Sequence, residues 1–547
     1  LLLAQSATRA AGAPQAVPAD GADRVRLLVI VSVDQLRRDR LDPELPGGLG
    51  RLAREGRVFR EAVVDHAASE TCPGHVVLAT GRHPGRAGVP GNSTIDRETG
   101  RKVYCVEDLA EDAHVFGDPS GRSPRRIRVD ALGDWLKAAR PGSRVYSVSG
   151  KDRAAIAMGG QQPDGAFWYW KSSPPRFTTS HYYADAEPDW LAGWNERWRA
   201  ELPDRWRPDP GLAEPGDRPD DYPAESDVLG RSGEKPLAEG DADELAERVY
   251  ASPRLDEITL DLARELVDRM ELGVADGRGS EGDPSGPDGT LDLLTVSLSA
   301  TDTVGHLYGP ESLESRDALR RTDAALGAFL DHLDERVGRD HYAVALSSDH
   351  GVLPLPEWLA ETGRGTCPVA EGRVGLTWLG LRLLTSLHFE FSPWSWPRPW
   401  LHFAGSQATV DRDLARRHGV PVEEVAAYAE AWLERQPVIA EAWTPDEIEN
   451  GTSETARLYR HSRDPERSGD LSLEIAEGCL ITPRSTGTTH GTPHAYDREV
   501  PIAVLGPGIA AGSVGGTART VDLAPTLADW LGIPVPEDLD GHPLPLR

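Results

Sequence analysis

Lysine is scarce in this chain of 547 residues, cysteine is scarcer, and basic charge as a whole falls well short of acidic charge. Each shortage removes a class of answer. The formal net charge of -29 argues against nucleic acid or an anionic membrane surface as a partner, since both are bound through basic patches. The four cysteines, Cys72, Cys105, Cys367 and Cys479, have no C-x-x-C spacing, which removes zinc-finger readings. They permit two disulfides in three connectivities and leave the compartment open. No run is apolar for long enough to span a bilayer: the most apolar later stretch, Leu376 to Leu387, contains Arg382 and runs into Glu390 and a Pro/Trp cluster.

What is present is a series of buried-type strands. Leu27 to Val33 is a continuous apolar, β-branched run ending at Asp34. Val145 to Ser149 ends at Gly150-Lys151-Asp152-Arg153, and Leu291 to Leu298 is followed by Thr301-Asp302 and Gly305-His306. Tyr342 to Leu346 delivers Asp349-His350-Gly351, and Val500 to Leu505 follows a polar loop holding Thr489-His490-Gly491. Helical patterns such as Ser312 to Leu333 and Asp522 to Leu531 lie between them. This alternation predicts an α/β fold with a doubly wound, mainly parallel sheet sandwiched by helices. Sites in such sheets lie beyond the carboxyl ends of the strands, so one rule collects these endings into one crevice.

The expected organisation is one large domain with two insertions. Residues 1–23, opening Leu1-Leu2-Leu3-Ala4-Gln5, read as the tail of a secretory signal and a linker, or equally as a ragged end. The core takes 24–160, 288–354 and 471–547. A Trp-rich insertion takes 161–287, and a second insertion or cap takes 355–470, with an amphipathic helix from Val422 to Arg435. The tryptophans are expected to fill small satellite cores.

The run Ser69-Glu70-Thr71-Cys72-Pro73-Gly74-His75 leads into an apolar segment and predicts a helix start with Pro73 in the first helical position. Thr71 then stands at the positive end of the helix dipole, either as an N-cap or as a nucleophile aimed at an anion. Asp302 and His306 are one helical turn apart, and Asp349 and His350 are adjacent. With Asp34 and His490 they make six oxygen and nitrogen ligands, which suit zinc and are too many for one tetrahedral ion. Two ions about 4 Å apart can clamp the attacking and leaving oxygens of an in-line phosphoryl displacement. His75 and His494 are alternative ligands, with His75 expected to be a hydrogen-bonded packing residue.

The ordered set Asp34, Thr71-Cys72-Pro73-Gly74-His75, Gly91-Asn92, Lys151-Asp152-Arg153, Thr301-Asp302-x-x-Gly305-His306, Asp349-His350-Gly351 and Thr489-His490-Gly491 resembles the alkaline phosphatase superfamily. Within it the set is most similar to the phosphate-irrepressible periplasmic (PafA-type) alkaline phosphatases, relatives of the nucleotide pyrophosphatase/phosphodiesterases. The resemblance implies one zinc held by Asp302, His306 and His490, and a second by Asp34, Asp349, His350 and the nucleophile Thr71. Asn92 and the Cys72 amide would hold phosphate oxygens. Lys151 and Arg153 look like the pair that distinguishes monoesterases in this branch, with cations placed on the oxygens of a dianion.

The implied activity is hydrolysis of phosphate monoesters, broad in leaving group, through a phosphothreonine intermediate in the periplasm or outside the cell. The alternatives are a phosphodiesterase or nucleotide pyrophosphatase using the same site, and a catalytically dead carrier or scaffold. The Cys-x-Pro-x-Arg pattern of a sulfatase is absent, because Pro73 follows Cys72 directly. Small phosphate esters are the implied partners, with no nucleic acid, no stable membrane insertion and a monomer expected.

Overall fold

The computed structural model describes residues 21–239, 242–274 and 291–547. The expected signal remnant and linker, and the end of the first expected insertion, fall largely outside these residues. Nine strands form the central sheet: β1 (Leu27–Val33), β2 (Arg57–Val63), β3 (Val145–Ser149), β4 (Gly165–Trp170), β5 (Arg176–Thr178), β6 (Asp292–Leu298), β7 (Tyr342–Ser347), β8 (Ile502–Leu505) and β9 (Gly512–Arg519). Their spatial order is β9-β2-β8-β7-β1-β6-β3-β4-β5. The five strands from β7 to β4 are parallel, while β8 and β5 run against their neighbours.

Strand β1 is buried at every position, which its unbroken apolar composition requires of a strand covered on both faces. Successive side chains point to opposite faces. Leu27, Val29, Val31 and Val33 therefore join one core, and Leu28 and Ile30 join the other. Helices complete the two layers: α1 (Thr71–Thr80), α2 (Leu132–Ala139), α3 (Asp152–Gly159), α4 (Arg254–Arg269), α5 (Ala300–Tyr308) and α6 (Leu313–Leu333). Residues of α4 and α6 pack in the first core, and residues of α2 in the second. Ser312 caps α6, its hydroxyl accepting from the Ser315 amide at 3.0 Å.

The register makes one edge of the sheet a working surface. Val33 pairs with Leu298, Ser32 with Ser347, and Ser297 with Ser149. The strand ends are thus level, and the residues just past them, Asp34, Lys151, Asp302 and Asp349, meet at that edge.

Three sequence expectations differ from the structure. The Trp-rich stretch after residue 160 supplies β4 and β5 to the central sheet, and Phe167, Trp194 and Trp198 pack in its first core rather than in a satellite. The aromatic run that reads as an insertion is an ordinary buried strand. The second insertion reaches further than residue 470. Its antiparallel four-stranded sheet includes Leu471–Ile475, and Arg373–Gly375 pairs in parallel with Leu480–Thr482. This cap has its own core, built around α7 (Leu376–Phe391) and α8 (Val422–Leu433); α9 (Glu454–Ser462) comes before its last strands, and α10 (Leu523–Leu531) lies back in the main body. Third, α1 begins at Thr71, with Pro73 as its third residue. That position also lies among the first-turn amides that need no partner within the helix, so a proline costs nothing there.

All four cysteines are paired, Cys72 with Cys105 and Cys367 with Cys479. Among the described residues no helix is long and apolar enough to cross a membrane.

Candidate active site

The cap position of α1 is Glu70, whose side chain makes no capping hydrogen bond, and Thr71 is the first helical residue. Its hydroxyl is therefore not the helix cap. It accepts instead from Arg153 Nη2 at 3.2 Å. The Cys72 amide donates to Asn92 Oδ1 at 2.8 Å, and the Asn92 amide donates to Glu70 Oε2 at 2.6 Å. Thr71, Asn92 and Arg153 are thus assembled at the helix N-terminus, where the dipole favours an anion.

Beside them lie the acidic and imidazole groups. Asp34, Asp302 and Asp349 are all buried. Lys151 stands between two of them, its ammonium donating to Asp34 Oδ2 at 2.8 Å and to Asp302 Oδ2 at 2.6 Å. Burial opposes its charge, but Asp302 and Asp34 outweigh that and raise its pKa. His306 Nε2 is 3.2 Å and His490 Nε2 3.6 Å from Asp302 Oδ1, and His350 Nε2 is 3.0 Å from Asp349 Oδ2. Burial disfavours the His350 imidazolium, yet Asp349 more than compensates and pushes its pKa up to about 9.

All six sequence-predicted ligands are brought together. Their grouping is less divided than the resemblance implies. The His350 ring stacks on that of His490 at 3.5 Å, so His350 reaches toward Asp302 and His490 as well as Asp349. His75 lies behind Asp34 and Asp349, with Nδ1 at 2.8 Å from the Thr71 carbonyl and Nε2 at 3.1 Å from Ser297 Oγ. Its ring is held from both sides and also lies 3.2 Å from Asp34 Oδ1 and 3.5 Å from Asp349 Oδ2. His494 points its Nε2 at the Ile475 carbonyl, 2.7 Å away.

The donor set suits a divalent cation, and its orientation does too. His306, His350 and His490 each donate Nδ1–H to a backbone carbonyl, those of Thr488 (2.8 Å), Gly351 (2.9 Å) and Ser69 (2.6 Å). Each Nε2 is thereby turned toward the carboxylates, the backing that fixes direction in metal-binding histidines. Asp349 Oδ2 and His350 Nε2 are buried 3.0 Å apart with no hydrogen-bond partner beyond each other, so both have capacity left for a further ligand.

Several supporting residues carry no sequence signal of their own. Gln35 has φ 66°. This uncommon conformation lets its amide donate to Asp349 Oδ1 at 3.1 Å and its side chain to Asp302 Oδ1 at 2.8 Å. The Gln35 side chain runs so close to α5 that a Cβ at Gly305 would lie 1.8 Å from its Oε1, and a Cβ at Gly74 would lie 2.4 Å from the Asp349 carbonyl oxygen. These contacts give the glycines of both motifs a packing reason. Tyr104 holds Arg153: Arg153 Nη1 donates to its hydroxyl at 3.3 Å, which in turn donates to Asp152 Oδ1 at 2.6 Å. Tyr104 precedes Cys105, whose disulfide partner Cys72 follows Thr71.

A family model described as type I phosphodiesterase / nucleotide pyrophosphatase matches residues 28–497. The chain belongs to this family. Alkaline phosphatase PhoK of Sphingomonas sp. is 32% identical over 95% of this chain and 91% of its own length. Alkaline phosphatase PafA of Elizabethkingia meningoseptica is 28% identical over 95% and 94%. A crystal structure of wild-type alkaline phosphatase PafA superposes with a TM-score of 0.83, covering 95% of this chain and 98% of that one at 28% identity. Murine ectonucleotide pyrophosphatase/phosphodiesterase 5, at 14% identity and TM-score 0.51, shares the fold.

Proposed function

We propose that this protein is an alkaline phosphatase that hydrolyses phosphate monoesters at a two-zinc site through a covalent intermediate on Thr71. The observation that carries the reading is the Thr71 hydroxyl at the α1 N-terminus, touched by Arg153 and flanked by the buried carboxylates and forward-facing imidazoles. Asp302, His306 and His490 would hold one zinc, and Asp34, Asp349, His350 and Thr71 the other. When bound, the two ions would lower the pKa of the threonine hydroxyl and of water and balance charge on the attacking and leaving oxygens.

The chain's own groups do the rest. The α1 N-terminus, Asn92 and Arg153 bind the phosphoryl oxygens and aim phosphorus at Thr71 Oγ1. The Thr71 oxygen forms a bond to phosphorus as the bond to the ester oxygen breaks, and the alcohol departs. Water then attacks the phosphothreonine, releasing inorganic phosphate and restoring Thr71. Lys151 and Arg153 favour a monoester because its dianion presents more unneutralised charge than a diester. The family's name raises the phosphodiesterase alternative, for which these two cations would be dispensable. Two disulfides that use every cysteine support work in the periplasm or outside the cell, since such bonds persist in oxidising compartments.

The test compares an aryl phosphate with its diester. Wild type is expected to prefer the monoester. Arg153→Ala is expected to lower kcat/KM for the monoester by about 10²–10³-fold, the scale of losing one donor to developing charge, with a much smaller change for the diester. A clear wild-type preference for the diester would overturn the monoesterase reading.

A further inference from the structure

The described surface carries nine exposed large apolar side chains, and six of them, Leu376, Trp378, Leu381, Phe389, Trp394 and Trp396, belong to α7 and the loop after it. Every exposed tryptophan and phenylalanine among the described residues is in this group. Helix α7 is apolar on two sides. Leu379, Leu383 and Leu387, four residues apart, are buried in the cap core, while Trp378, Leu381 and Phe389 follow a second stripe that is exposed among the described residues. The loop then lifts Trp394 and Trp396 into solvent at 98% and 87% exposure. Patches of this kind on a soluble surface mark an interaction site.

Charge says what the occupant is. From 376 to 400 the only charged residues are Arg382, Glu390 and Arg398, so a chain of net charge -29 presents here a face that is slightly basic. Arg382 lies over the Trp378 ring at 4.5 Å, and Arg382 and Arg398 are both exposed. Tryptophan, phenylalanine and leucine on an in-plane helix, rimmed by arginine, match the apolar-to-phosphate gradient of a lipid interface. A second copy fits poorly. A two-fold pairing of this face would gather four arginines against two glutamates in a desolvated contact. The helix has 16 residues, so it can lie in an interface but is too short to span one.

We propose that α7 and the loop to Trp400 form a peripheral docking surface for a phospholipid bilayer. Trp394 and Trp396 enter the head-group region, and Arg382 and Arg398 face lipid phosphates. This inference is independent of the catalytic reading.

The experiment is co-sedimentation of the full chain with sucrose-loaded vesicles of zwitterionic phosphatidylcholine, whose phosphates face the arginines without the repulsion an anionic surface would exert on a chain of net charge -29. Wild type is expected to sediment with the vesicles. The double variant Trp394→Ser/Trp396→Ser should lose about tenfold in partitioning, the scale of removing two interfacial aromatic anchors. Arg382→Glu/Arg398→Glu should lose several-fold, with the loss shrinking as salt rises. Both variants should hydrolyse a soluble ester at the wild-type rate without vesicles, which reports that the cap has folded. Wild type left in the supernatant, or equal sedimentation of wild type and the tryptophan variant, would overturn the proposal. So would a wild-type dimer, seen by light scattering and broken by the tryptophan substitutions, that does not bind vesicles.

Discussion

Three groups of aspartate and histidine each bring ligand atoms within reach of an ion: Asp302, His350 and His490 with the adjoining Asp34, His75 and Asp349 make up a first cluster, and Asp65, His83 and His461 make up a separate second one. Their partners separate them. In the second cluster Arg457 takes both Asp65 oxygens, at 2.8 and 3.0 Å, with Arg519 at 3.4 Å. His461 spends Nδ1 on the Asp65 carbonyl at 2.6 Å. That cluster is a balanced ion network joining the loop after β2, the loop after α1 and α9 at the cap boundary. In the first, Lys151 pairs with two of three carboxylates, Asp34 and Asp302, and each predicted ligand histidine is anchored from behind with Nε2 forward. Proximity of Asp and His is thus common to a latch and to a candidate metal site, and the way the carboxylate charge is met, by an arginine fork in the one and by lysine and imidazole in the other, tells them apart.

The sharpest way to break this comparison is to count metal. Asp302→Asn should lower zinc content and reduce hydrolysis by roughly 10³-fold or more, the scale of losing metal-assisted activation of nucleophile and water. Exhaustive chelation should do the same to wild type. His461→Gln should leave both zinc content and activity at the wild-type level. Elemental analysis of the purified proteins beside an aryl phosphate assay checks all three. Loss of an equivalent of zinc in His461→Gln would make the second cluster a metal site after all.

A smaller effect tests how the first cluster's surroundings are held. The Tyr104 hydroxyl accepts from Arg153 and donates to Asp152, so its expected role is to position Arg153. Tyr104→Phe removes one hydrogen bond that fixes the guanidinium and should cost about 3–10-fold in monoester kcat/KM, with diester hydrolysis nearly unchanged. A merely structural role would lower both rates together. Kinetics on the two substrates separates the outcomes.

These cases also show what the sequence reveals. Asp34, Asp302 and Asp349 are legible because buried apolar strands stop at them, and the fold rule then predicts that they meet. His490 sits in an irregular loop before β8, where no strand ends at it, and its place beside Asp302 is implied only by the resemblance to a family. Gln35 and Tyr104 are not legible, since they act through partners 267 and 49 residues away. Strand β2, RVFREAV, escapes because its Arg60 and Glu61 are exposed in the middle of the run, which hides the alternation. Strand β9 escapes because Gly512, Gly515 and Gly516 give it no side-chain pattern. The tryptophans are the plainest failure. Trp194 and Trp198 fill the main core and Trp394 and Trp396 face solvent, yet composition alone treats the two stretches alike.

The smallest effect probes the latch through pH. Burial lowers the pKa of His83, but Asp540 and Asp65, 3.5 and 3.4 Å from its ring, outweigh that and raise it. A folded-state pKa above the unfolded value means the imidazolium binds its proton more tightly in the folded chain. Its contribution is therefore fully present below the unfolded histidine value of about 6.5 and is lost as pH rises through the raised folded value. Burial also pushes Asp65 up, yet His461, His83 and Arg457 hold it far below the ordinary carboxylate range, so its own contribution is lost only in acid. The stability difference between wild type and His83→Gln should accordingly be on the order of 1 kcal/mol near pH 5.5 and shrink toward alkaline pH. Thermal melts of both proteins across that range measure it. A difference that grows with pH would mean that His83 is buried neutral, and the second cluster would then lack the balance of charge that sets it apart from the first.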